Sequence, residues 1–228
     1  MKKIQIITIF LFVIISSFSQ ENKFEIPNYK NIQKEIQKKE SNFYYPKLLE
    51  RLEANDTLLS KEEYKHLYFG YLFQPKYNAY WTSPDQDKLS KYYSSEKLEE
   101  KDYDQMIKLA NHSILDFPFD MRNMNFLAYI YHLKGDEISA KKMTIRFNKS
   151  MEAILSSGDG KNCETGFHVI SVSHEYVLLH LFELESNTQS LIDDCDYLSF
   201  EKGKYKVDGI YFNIKKLLEK EREILFGK

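Results

Sequence analysis

Three histidines, His168, His174 and His180, lie close together in the chain, with Glu175 and Cys163 beside them. Imidazole nitrogens, a thiolate and a carboxylate are the ligands zinc takes, and a zinc ion with an open position would activate water. Two ligands on one helix face need a spacing of four. His174 and His180 are six apart and fall on different faces. On a strand, His168 alternates with Phe167 and Val169, which point the other way. The three histidines therefore read as structural, and no metal or other cofactor is expected. An exported hydrolase or metal enzyme with its site near His168 and Glu175 is the alternative.

Other reactive groupings have plainer readings. Ser171, Ser173 and His174 suggest nucleophilic catalysis, but no Gly-x-Ser-x-Gly turn presents a serine, and Ser173 reads as the cap of the helix it precedes. Gly158-Asp159-Gly160 lacks the continuing acidic ligands of a calcium loop and the glycine spacing of a phosphate loop. It reads as a turn. Asp193-Asp194 and Glu99-Glu100 read as solvated turn and cap residues.

The most unusual composition is the run HLYFGYLFQPKYNAYW. Gln74, Tyr77, Tyr80 and Trp81 fall in a loop with proline at each end, and are candidates to hold a sugar ring or a peptide side chain. Tyr and Trp offer a large rigid face with a polar tip. Leu67, Tyr71 and Phe73, on the preceding helix, read as core.

These residues must be positioned by helices first and strands later. Asn28 caps a helix over residues 28–39; others follow over 45–53 and 61–73, the last opened by the Ser60/Glu63 capping-box pattern. Asp102-Tyr103-Asp104 opens a helix that stops near Phe117, because Pro118 cannot continue it. A second helix ends at Gly135 and Asp136 opens a third. Beyond Gly158 the pattern changes. Residues 167–172 read as a strand, 174–184 as a buried helix and 189–192 as a short strand. Residues 197–202 and 205–214 read as a hairpin around Gly203-Lys204, and 215–225 as an amphipathic helix.

The whole chain has 228 residues, 15% of them aromatic, enough to fill a core. Met1-Lys2-Lys3, the apolar run 4–15 and Ser17-Phe18-Ser19 have the three regions of a secretory signal peptide, with removal expected after Ser19. The run is too short for a membrane span of about 20 residues, and no later run approaches that length. An exported, soluble product, periplasmic or secreted, is expected. Losing Lys2 and Lys3 takes the formal net charge from −2 to −4. That acidity argues against a nucleic-acid partner. Cys163 and Cys195 would meet an oxidising compartment. Sequence leaves open whether they bridge or stay as two small apolar residues.

In the central stretch, Leu127-Ala128, Tyr131, Gly135-Asp136 and Ala140 fall in the order of a tetratricopeptide repeat, and DYDQMIKLANHSILDFP resembles the second helix of the repeat before it. Phe147 stands where a small residue is usual, no proline closes the helix near Glu152, and residues 87–99 match weakly. The resemblance implies helical hairpins over 20–157; with the later pattern, the chain reads as mainly α, with a small α+β segment of β-α-β-β-α order over 158–228 packed on the helices. The resemblance also implies a concave surface lined by Arg122, Asn125, Tyr129, His132 and Leu133. These residues share one helix face, opposite Leu127, Ala128 and Tyr131. The implied role is an exported binding or scaffold module holding a protein, peptide or glycan of the cell envelope.

A second resemblance spans nearly all of the mature chain. FYYPKLLERLEANDTLLSKEEYKHLYFGYLFQPKY and GDGKNCETGFHVISVSHEY, with QSLIDDCDYL and GIYFNI after them, resemble the exported bacterial domain-of-unknown-function family numbered 4919. It implies no activity. Cys163 stands where a serine-like residue is usual, which weighs against a bridge to Cys195.

Overall fold

The structure is a computed structural model that describes residues 24–95 and 97–227. The signal-peptide expectation falls on residues 1–19, outside the described residues. The protein is mainly α, with a small mixed sheet towards the C-terminus.

Short amphipathic helices come first among the described residues. In α1 (Tyr29–Gln37) the Asn28 side chain accepts from the Asn31 N–H, and Ile32 and Ile36 point inward. In α2 (Tyr45–Glu53) Leu48 and Leu52 do the same. Ser60 and Glu63 form the reciprocal capping box of α3 (Lys61–Gly70), leaving few unsatisfied N–H groups at its start. The helix then tightens into a 3-10 turn at Tyr71–Phe73 rather than running on as α-helix to Phe73.

Helices α4 (Gln86–Tyr93), α5 (Tyr103–Asp116), α6 (Met121–Leu133) and α7 (Glu137–Leu155) follow. Pro118 ends α5 as expected, and Asp120 caps α6 by accepting from the Asn123 N–H. Gly135 takes a φ of 81°, and N–H groups at Gly135 and Asp136 bond back to His132 and Tyr131 carbonyls. That left-handed residue turns α6 tightly into α7.

The later segment holds β1 (Phe167–His168), α8 (Val172–Leu181), β2 (Ser186–Ile192), β3 (Cys195–Phe200), β4 (Gly209–Asn213) and α9 (Lys215–Phe226). The sheet order is β1-β4-β3-β2, with β1 parallel to β4 and the other pairs antiparallel. The four strands fall on the four stretches read from the pattern, one more than the shorthand β-α-β-β-α counts. Strand β1 is shorter than expected, because Ser171, not Ser173, caps α8 and draws Val172 into the helix. One buried apolar core runs from Ile32 and Leu48 through Tyr68 and Leu127 to Leu198, Phe212 and Leu217, so the C-terminal segment packs on the helices.

Cys163 and Cys195 are bridged, with Cα atoms 5.6 Å apart. This corrects the reading that weighed against a bridge: β3 brings Cys195, fully buried, under the turn that carries Cys163. Loop closure over a sequence separation of 32 contributes about 3–4 kcal/mol by the chain-entropy account. The same turn shows why Gly158 and Gly160 are glycines. A Cβ at Gly158 would lie 2.4 Å from the Gly166 carbonyl oxygen, and Gly160 has a φ of 70°. Asp159 accepts from the Lys161 N–H and the Thr165 hydroxyl, which closes the turn and leaves no cation-binding role to explain.

Candidate functional site

A buried polar network fixes α4 against α5 and α6. The Ser113 hydroxyl donates to Asp120 at 2.5 Å, and the Asn123 amide donates to Asp120 and Ser113 at 2.6 and 3.0 Å. The Tyr93 hydroxyl donates to the remaining Asn123 oxygen at 2.7 Å. With Asn123 locked by a carboxylate, the Tyr93 ring has one position, and Arg122 lies over it with its guanidinium carbon 5.3 Å from the ring centroid.

Beside this network a cleft of about 750 Å³ opens between α4, α6 and α8. Arg122, Asn125 and Tyr129 line it from α6, Tyr92 and Tyr93 from α4, and Tyr176 and His180 from α8. Tyr129 and Tyr176 are 53% and 42% exposed, so ring faces are available on two walls. Lys97 also lines the cleft, and no Asp or Glu does among the described lining residues. A second cleft, about 370 Å³ near Phe43, contains Arg51, but that guanidinium is already paired with Asp56 and Glu63.

Of the five groove residues expected from sequence, Arg122, Asn125 and Tyr129 come together in the cleft. Leu133 joins them. His132 does not: it faces solvent and its Nδ1 meets Glu137 at 2.7 Å. The wall supplied by α8 was not foreseen, because VSHEYVLLHL is apolar on nearly every side and read as wholly buried. His174, Glu175, Leu178 and Leu179 do face inward, whereas Tyr176, Val177, His180 and Leu181 face the cleft. The spacing of four between Tyr176 and His180 was the available signal.

The aromatic loop does not form a surface. Tyr77 is buried and its hydroxyl donates to the Ile170 carbonyl at 2.9 Å. Gln74 spends its amide on the Gly70 carbonyl, and Trp81 donates to Asp116 at 2.6 Å while its ring lies 5.0 Å from that of Phe117. Only Tyr80, 57% exposed, presents its ring to solvent. The loop is a plug, since burying these ring faces and satisfying their polar tips stabilises the helical core.

His168, His174 and Glu175 likewise sit inside. The Phe119 carbonyl can only accept, so His174 Nε2 carries the proton and donates to it at 2.9 Å. His174 Nδ1 then accepts from the Tyr68 hydroxyl at 2.7 Å. His168 Nδ1 meets the Tyr29 hydroxyl at 3.1 Å, and its Nε2 has no partner among the described residues. Burial pushes both imidazoles down to about 4. Burial and then the Asp196 charge push Glu175 up to about 10. Asp196 on β3 is near enough to repel, but neither Glu175 oxygen reaches hydrogen-bond geometry with any described group. Neither His168 nor Glu175 lines the cleft. Among the described residues no three His, Cys, Asp or Glu side chains converge as a metal site. None of the described helices is long and apolar enough to cross a membrane.

The chain belongs to the family described as a domain of unknown function (DUF4919), whose model matches residues 30–223. No curated protein and no solved structure matches it.

Proposed function

We propose that the protein is an exported binding module whose ligand lodges in the cleft between α4, α6 and α8. The observation that carries this is a preformed cleft with Tyr93 locked by Asn123 and open ring faces at Tyr129 and Tyr176. Its volume lies within the range of small-molecule sites, which are concave and combine apolar walls with a few placed polar groups. The tight α6–α7 turn at Gly135 supports the tetratricopeptide-like reading of this region, in which α6 lines the binding side. The Cys163–Cys195 bridge supports export, since disulfides persist in oxidising compartments. Partners are a protein, peptide or glycan of the envelope.

The test is affinity for a ligand captured from the envelope of the native host. Arg122→Ala and Tyr129→Ala should each weaken that binding by about 1–3 kcal/mol, the size of a hot-spot truncation. Both side chains are exposed, so the unfolding midpoint should stay close to that of the parent. If both variants bind as well as the parent, the cleft is not the site.

A further inference from the structure

Resting on the cleft reading above, we infer that the ligand is an acidic saccharide, held by its ring faces on tyrosines and by its carboxylate on Arg122 and Lys97. Two independent features of the lining lead there. One is the kind of aromatic residue: Tyr92, Tyr93, Tyr103, Tyr129 and Tyr176 outnumber the phenylalanines, Phe126 and Phe147. A lipid or an apolar side chain is best held by wholly apolar walls. A sugar has C–H faces that stack on a ring and hydroxyls that need partners; Tyr129 can supply both, while the Tyr93 and Tyr176 hydroxyls donate to Asn123 and Gln189 and leave their rings and lone pairs. Asn125, exposed on the same wall, adds a donor and an acceptor.

The second feature is charge. Arg122 and Lys97 put two cations on the lining, and no carboxylate lies among the described lining residues. The protein as a whole is slightly acidic, with 34 Asp and Glu against 32 Lys and Arg, so a cationic cleft does not follow from overall composition. Arg122 is steadied by the face of Tyr93, which leaves the edge of its guanidinium for an anion. A guanidinium matches a carboxylate through two parallel hydrogen bonds. A uronic acid joins this anion to the ring that tyrosine walls select.

Trigalacturonate, its trimethyl ester and a tyrosyl-glutamate dipeptide separate the possibilities, each titrated calorimetrically and with resonance mapping on the full mature chain. Trigalacturonate is expected to bind at Arg122, Asn125, Tyr129 and Tyr176, with the uncharged ester at least tenfold weaker. Arg122→Gln should remove most of the preference for the acid over the ester, and Tyr129→Ala should weaken both. Equal binding of acid and ester would overturn the anionic assignment and leave the cleft reading standing. Binding of the dipeptide alone would overturn the saccharide assignment and again leave the cleft. Failure of all three to perturb the cleft would overturn the inference, and the Arg122 and Tyr129 variants tested on the captured ligand would still judge the cleft reading separately.

Discussion

Glu175→Gln should stabilise the protein, and the gain should grow with pH. Glu175 is fully buried on α8, and its carboxyl is held up to about 10 against an ordinary value of 4.5. Below the ordinary value both folded and unfolded chains carry the proton, so the group has no pH-linked effect. Between the two values the unfolded chain releases the proton and the folded chain keeps it. Stability therefore falls by about 1.4 kcal/mol per pH unit as pH rises through this window. Glutamine keeps the size and neutrality of the protonated acid and does not titrate. The expected gain is close to zero at pH 4.5 and about 3–5 kcal/mol at pH 8, read from urea midpoints at constant slope. A variant less stable than the parent at pH 8 would mean that the Glu175 carboxylate is ionised in the fold, with a partner.

His168 and His174 act in the opposite direction at lower pH. Each has a folded value of about 4 against 6.5, so between these limits the unfolded chain takes up a proton that the fold refuses. Their stabilising contribution is complete above 6.5 and is lost as pH falls towards 4. Relief at Glu175 offsets part of it, which leaves a net loss of about 4 kcal/mol from the three groups between pH 6.5 and pH 4. Stability should accordingly peak near pH 6.5. His168→Gln should remove about half of the histidine slope over pH 5–6.5, where most carboxylates are already ionised. His174 is the less suitable probe, because its replacement also breaks the bonds to Tyr68 and Phe119. Denaturation midpoints that stay flat from pH 6.5 to pH 5 would show that the imidazoles are protonated in the fold or open to water.

The helical boundaries were legible because local chemistry sets them. Tyr45–Glu53 falls where the apolar spacing put it, and Ser60 with Glu63, Pro118, and Gly135 with Asp136 act in the structure as their types imply. Strand β2 extends three residues earlier than its pattern suggested. It lies exposed at the sheet edge, so no alternation of burial marked its start. Tyr77 of the 74–84 loop was misread for a general reason: a loop position does not mean an exposed side chain, and this one reaches across 93 residues to Ile170. The Cys163–Cys195 bridge depends on sheet register, which spacing alone does not give. Around the cleft, the tetratricopeptide resemblance implied the α6 wall, and helical spacing put Arg122, Asn125 and Tyr129 on one face. The α8 wall had one local signal, the spacing of four between Tyr176 and His180, set in a helix that is apolar on nearly every side.

The claim that the cleft holds the ligand meets its most direct test in the native host. A photoreactive residue at Asn125, exposed on the α6 wall, should on irradiation form a discrete adduct. The same residue at Lys141, exposed on α7 and outside the cleft lining, should not. Adding Tyr129→Ala to the Asn125 probe should reduce the adduct severalfold. An identical pattern from both positions, or no adduct at Asn125 while Lys141 gives one, would contradict the account.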